Sequence, residues 1–244
     1  MYPLSGLRDA WGDLYRTAAA AVAVEFPETP TELRWDVDAH QSWLDPDMAL
    51  SQTCGWPLVT VLSQHVRVLG SFVHVLDGRP AYTYRSVIIA REAQPLCDLA
   101  RSRAAINSDD SLSGLVSLLD AFGVRQPHWP DEVTWTGSHM ASIAAVRDRD
   151  ADVASIDALT WAYLQRLAPG ELAGLVVVGR GPEVPCLPLV VPGHATDRLV
   201  TLWRAALTSA VGDPQLAGQL DTLLISGFQP LDLQDYETAL APLM

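Results

Sequence analysis

Apolar positions along the chain fall into two spacings. Runs of strand length come first: "LRWDVD", "PLVTVLSQHVRVL", "SFVHVL", "YRSVIIAR", "PLCDLARS" and "RAAIN". Then Leu112, Leu115, Val116 and Leu119 recur at i, i+3, i+4 and i+7, which predicts a helix beginning near Ser111 with one apolar stripe. The alternation continues through "EVTWTG", a helix from Ser138, "ADVASID", a helix over "ALTWAYLQRL", then "LAGLVVVG" and "LPLVV", and ends in a largely helical C-terminal third. Strand runs interleaved with helical stripes predict an α/β fold of short strands in mixed or parallel sheets covered by helices.

Two extended segments interrupt this rhythm, "AYTYRSVIIAR" around residues 81 to 91 and the Pro-rich "GPEVPCLPLVVPG" around residues 181 to 193. Read as crossovers, they predict a discontinuous first lobe, residues 1–82 plus 187–244, with a second lobe, residues 83–186, inserted between. A chain of 244 residues is long enough for two lobes of roughly 100 residues each.

Composition narrows the partners. Apolar residues make up 49% and charged residues 18%, the balance of an ordinary folded protein. Sixteen Lys and Arg against 29 Asp and Glu leave a net charge of −13, and no basic cluster is present to neutralise phosphates along a duplex, so nucleic acid is not an expected partner. No apolar run reaches the ~18 residues of a membrane span. Near the N-terminus, Arg8, Asp9, Asp13 and Arg16 interrupt any signal-peptide pattern. The expectation is a cytoplasmic chain, extracytoplasmic only if its true N-terminus lies upstream. Cys54, Cys97 and Cys186 are widely spaced without a CxxC pair, as in a reduced compartment.

Candidate chemistry gathers at helix starts. In "INSDDSLSGLVSLLDAF", Ser111 or Asp110 is the expected N-cap, and Ser113 and the side-chain-free Gly114 occupy the first turn. A helix start offers unpaired N–H groups and partial positive charge, suited to an anion. The same residues are equally the commonest caps and need no ligand. A second start, "TWTGSHMASIAAV", repeats the arrangement, with Ser138 at the cap and His139 in the first turn, where a neutral ring has one donor and one acceptor to satisfy.

Taken in order, the Met-Tyr opening, Gln-Thr-Cys-Gly in "SQTCGWPL", Tyr-x-Ser in "YRSVIIAR", Asn followed by Ser-x-Ser-Gly, Thr-Gly-Ser-His, and Asp-x-x-x-x-Asp in "ADVASIDALTWAYL" resemble the PhnD-like family of phosphate/phosphite/phosphonate ABC-transporter substrate-binding proteins. The resemblance runs from about Met1 to Val191. It implies the type II periplasmic-binding-protein fold, two α/β lobes joined by two crossover hinge strands with the ligand in a cleft. It further implies an anion held by Ser111, the backbone N–H of Leu112, Ser113 and His139, with Ser138 at the second helix start. Asp157 would face an amine or hydroxyl of the ligand, or serve as a plain cap for "ALTWAYL". Tyr84 and Ser86 would point the same way from the first crossover. Gln52 and Thr53 would form the opposite wall.

The leading expectation is therefore a binding protein for a small oxyanion-bearing solute, with an ABC-transporter permease or a sensory chain as partner. The alternative is a cytosolic enzyme on the same scaffold, with His139, Asp157 and Cys54 as acid, base or nucleophile. Other signals fail. Gly-x-Gly in "VVVGRGPEVP" runs into Pro182 with no helix, and there is no P-loop, HExxH or GxSxG. Six histidines show no paired ligand spacing, so neither a metal nor a cofactor is expected.

Overall fold

A computed structural model describes Tyr2 and residues 4–244; Met1, half of the Met-Tyr opening, lies outside the described residues. The strands in chain order are β1 (Ser51–Gln52), β2 (Val66–Leu76), β3 (Arg79–Ala81), β4 (Thr83–Ala90), β5 (Ala104–Ile106), β6 (Val133–Trp135), β7 (Val153–Ile156), β8 (Val176–Pro185), β9 (Leu189–Pro192) and β10 (Ile225–Pro230). The chain divides into two compact units. The first runs up to Thr83 and resumes over Pro185–Ala241; the second comprises Tyr84–Val184 with Pro242–Met244.

In the first unit the sheet order is β1-β9-β2-β10, with β3 also on β2, and each pairing is antiparallel. Two helices cover it, Arg8–Ala23 and Asp197–Val211. Trp11, Leu14, Tyr15, Ala18 and Val22 form the buried stripe of the first; Val200, Trp203, Leu207 and Ala210 form that of the second. The Tyr15 and Trp203 rings stack between them, centroids 6.1 Å apart. Arg204 fastens the second helix to the sheet, its guanidinium donating to the carbonyls of Leu69 (2.8 Å), Val68 (3.2 Å) and Leu231 (2.7 Å). Beside it Gly70 adopts φ 146° where the β2–β9 register shifts, and a Cβ there would lie 2.2 Å from the Gln229 carbonyl oxygen. Only glycine fits.

The second unit has the order β6-β5-β7-β4-β8. β5 runs parallel to both β6 and β7, and β4 runs antiparallel to β7. Its central strands are apolar on both faces because both are covered. One core gathers Val87, Ile89, Ala105, Ile156, Ile143 and Leu164; the other gathers Ile88, Ile106, Val153, Leu115, Leu118 and Trp129. Asp152, at the start of β7, accepts from Arg91 (2.7 Å) and Arg103 (3.1 Å). Arg103 first, and Arg91 after it, hold its carboxyl down at about 2.

The α/β class is as the hydrophobic pattern predicts; several individual elements are not. "LRWDVD" forms no strand. "PLVTVLSQ" turns helically through Gly55–Pro57 and a π turn at Leu58–Leu62 before β2 begins, because Pro57 sits well in a first helical turn. "PLCDLARS" is a short helix, Leu96–Leu99. "VRVL" and "SFVHVL" fuse through Gly70 into an eleven-residue strand, so not all strands are short. The C-terminal third contains β10, whose "ISGFQP" carries too few apolar residues to announce a strand and is held by pairing with β2.

Gly70→Ala is expected to destabilise the protein by more than ~3 kcal/mol, since side-chain and backbone strain combine at one position; denaturant unfolding measures it. His74 on β2 is buried, and that burial, against a smaller opposing effect from the backbone of Leu223 and Leu224, pushes its pKa down to about 4. Its neutral form is the folded form, so its contribution is intact above the unfolded value of 6.5 and is lost as pH falls toward 4. Stability should drop by about 3 kcal/mol over that interval relative to His74→Met, which lacks the titration.

Candidate functional site

Parallel pairing of β5 with both neighbours brings three strand ends, Ile106, Trp135 and Ile156, to the same edge of the second unit's sheet. A helical segment begins just beyond each. Ser111 opens Leu112–Ala121, Ser138 opens His139–Arg147 and Asp157 opens Ala158–Leu167. All three cap by side chain: Gly114 N–H donates to Ser111 Oγ (2.9 Å), Ala141 N–H to Ser138 Oγ (3.1 Å) and Thr160 N–H to Asp157 Oδ1 (2.9 Å). The first start is wider than an α-helix. Leu112–Val116 is a π turn, with Val116 N–H donating to the Ser111 carbonyl at 3.1 Å.

Side chains tie these starts together. Ser113 Oγ lies 2.8 Å from His139 Nε2, linking the first helix to the second. Ser155 of β7 donates through Oγ to the Ser113 carbonyl at 2.6 Å, linking the first to the third strand end. Thr136 binds the β5 and β6 ends, its N–H donating to the Ile106 carbonyl at 2.9 Å and its hydroxyl meeting Ser142 Oγ at 2.6 Å. Ser108 Oγ donates to Asp110 in the loop that leads to the first start.

The electrostatics favour a neutral imidazole. Burial lowers the His139 pKa, while the Asp157 carboxylate and the Ser155 backbone work the other way. Nδ1 is buried. A neutral ring has one N–H, so whether Nε2 donates to Ser113 or accepts from it is set by the tautomer.

The sequence reading gave Gly114 the role of exposing backbone. Its bareness instead admits a neighbour: a Cβ at 114 would fall 1.8 Å from Asn107 Oδ1. Asn107 was read only as a motif letter. Its carboxamide lies against the first helix start with Oδ1 buried and unpartnered. The signal available for it was an Asn directly after a buried strand, four residues before a cap.

Of the candidate residues, Ser111, Leu112, Ser113, Ser138, His139 and Asp157 come together at this edge. Ser111, Leu112, Ser113 and Asp157 are buried, His139 is half-buried and Ser138 is exposed. Tyr84 and Ser86 are buried on β4 of the same unit. Val87 pairs with Ile156, which sets Ser86 beside the end of β7 that leads to Asp157. Gln52 and Thr53 belong to the first unit, where β1 pairs with β9 and Thr53 N–H donates to the Pro188 carbonyl (3.0 Å). Cys54 stands at the N-cap of the turn after them. Among the described residues no group of three or more His, Cys, Asp or Glu is placed to hold a metal ion, and no helix is long and apolar enough to cross a membrane.

Residues 46–236 match the family model described as "ABC transporter, phosphonate, periplasmic substrate-binding protein". The chain belongs to this family. Solved structures of the same fold include PhnD1 from Prochlorococcus marinus in complex with methylphosphonate, 17% identical with a TM-score of 0.71 over 96% of this chain and 92% of that one. A binding protein component of an ABC phosphonate transporter from Pseudomonas aeruginosa is 16% identical with a TM-score of 0.74, over 97% and 80%. XAC2383 from Xanthomonas citri, bound to chloride ion, is 17% identical with a TM-score of 0.71, over 98% and 95%. A search of curated proteins finds no match. At these identities the solved structures establish the two-lobed binding-protein fold; the family match over most of the chain establishes membership among substrate-binding proteins.

Loss of the first cap should be felt locally. Ser111→Ala is expected to cost about 1 kcal/mol, and Gly114→Ala more, because a methyl group would displace Asn107. Hydrogen exchange of the amides around Leu112–Ala121 would show the loosening first.

Proposed function

We propose that this substrate-binding protein takes the oxyanion of a phosphate- or phosphonate-bearing solute at the edge where Ser111, Ser113 and His139 meet. The observation that carries the reading is the 2.8 Å contact between Ser113 Oγ and His139 Nε2, which joins two helix starts at the C-terminal ends of parallel strands. Helix starts favour negative charge through their dipoles and outward N–H groups. To donate to an anion, Ser113 must release its hydroxyl proton from His139, which requires the tautomer in which Nε2–H donates to Ser113 Oγ. The histidine then orients the serine while remaining neutral.

Neutral donors suit an acidic protein. Contacts within hydrogen-bond reach outweigh the repulsion of the remaining −13 charge, which is screened beyond ~10 Å. Asp157, at the same edge, is committed to capping the third helix start through Thr160 N–H. Family membership and the methylphosphonate seen in the Prochlorococcus protein both support this class of ligand, and delivery to an ABC-transporter permease follows from the same membership.

Titration calorimetry against methylphosphonate, phosphate, phosphite and sulfate tests the proposal. At least one of the phosphorus oxyanions should bind, and Ser113→Ala and His139→Ala should each weaken it by about tenfold or more, the scale of one charge-assisted hydrogen bond. After allowance for the ligand's own ionisation, affinity should change little between pH 7 and 8, because the imidazole is neutral throughout. Unchanged affinity in both variants would overturn the assignment.

A further inference from the structure

Trp135, the last residue of β6, is 58% exposed. Among the described residues it is the one exposed tryptophan; the other seven are buried or half-buried. Single apolar side chains are common on protein surfaces and need no explanation. The feature that sets Trp135 apart is the place where it is held.

Trp135 ends its strand at the edge where Ser111, Ser138 and Asp157 open their helices. Its backbone pairs with Ile106 in parallel register, so the two side chains leave the same face of the sheet. Ile106 packs there with Leu115 and Leu118 of the first helix, and Val133, two residues before Trp135, packs against the same core. Between Val133 and Trp135, β6 therefore passes from core to open surface, on the side of the sheet that carries the first helix. The next residue, Thr136, is tied on both sides, its N–H to the Ile106 carbonyl (2.9 Å) and its hydroxyl to Ser142 Oγ of the second helix (2.6 Å). The indole is thus carried by the sheet and not by a loop.

The surface that continues from it is open. Gly137 takes φ 79°, a Cβ built there would meet nothing within 4 Å, and Gly137 and Ser138 are exposed. His139, next along, is half-buried and contacts Ser113. The hydroxyls and amides of the helix starts can read the oxygens of a headgroup but nothing attached to it. An indole offers a large flat apolar face, and covering it with another flat apolar group is favourable.

We infer that Trp135 is a specificity-determining residue of the oxyanion site, selecting solutes whose phosphonate or phosphate group carries a flat apolar body such as an aromatic ring. The inference rests on the oxyanion reading given above: Ser111, Ser113 and His139 take the headgroup, and the indole takes the substituent.

Calorimetry on the full chain with methylphosphonate and phenylphosphonate tests it, since the two share a headgroup and differ in the substituent. After allowance for each headgroup's own ionisation, phenylphosphonate should bind about fivefold or more tightly than methylphosphonate, the scale of one aromatic contact. Trp135→Ala should bring the ratio of the two affinities close to one, and Trp135→Phe, which keeps an aromatic face, should hold most of it. Trp135 is exposed, so neither substitution opens the core. Equal affinity for the two phosphonates, or a ratio that Trp135→Ala leaves as it was, would overturn the inference while the oxyanion reading stands. Binding of neither phosphonate would also overturn it, and the oxyanion reading falls with it only if phosphate and phosphite fail to bind as well.

Discussion

Parallel hydrogen bonding of β5 to β6 on one side and to β7 on the other is the constraint on which the candidate site depends. Parallel strands run in the same direction, so their C-terminal ends share an edge, and the helices that follow must begin there. Three caps, Ser111, Ser138 and Asp157, are each a local device that satisfies one amide. Together they bring three helix starts to one edge, with the Asp157 carboxylate among them, in a chain whose overall charge is strongly negative. Without that pairing, Ser113 and His139, which are 26 residues apart, would have no reason to meet.

The same edge shows how a polar cluster is kept in order. Ser155 holds the Ser113 carbonyl, Thr136 holds the Ile106 carbonyl, and His139 holds the Ser113 hydroxyl. Each bond joins two different strand ends, so the donors are positioned by a sheet buried on both faces and not by the loops that carry them. Asn107 completes the arrangement by lying in the space that Gly114 leaves. Under the proposed function, donors held in place in this way would take an anion without first having to be ordered.

Legibility varied with the range of the interaction. The caps at Ser111, Ser138 and Asp157 were readable because capping is decided within three or four residues, and the helical stripes because they face a core of any shape. The ordered motif set carried the family, and with it the fold, since each motif keeps its place along the chain even where the intervening sequence has changed. "LRWDVD" and "PLCDLARS" misled because a short apolar run has no period long enough to separate strand from helix, and β10 was missed because its stability comes from a partner strand 150 residues away. Gly114 was assigned to a ligand when its empty side is filled by Asn107, a contact that no local pattern encodes.

The sequence by itself determined the α/β alternation, the helix starts and their caps, the acidic net charge, and the resemblance to the phosphonate-binding family. The alternation, the caps and the charge follow from periodicity, capping and composition, which act through near neighbours or through the chain as a whole, while the family follows from the resemblance of the ordered motifs. Only the tertiary structure decided that β5 pairs with both β6 and β7, that Ser113 touches His139, that Asn107 occupies the bare side of Gly114, and that Trp135 stands exposed at the end of β6. Those outcomes depend on strand register and on which buried groups find partners, and both are settled by packing between residues far apart in the chain.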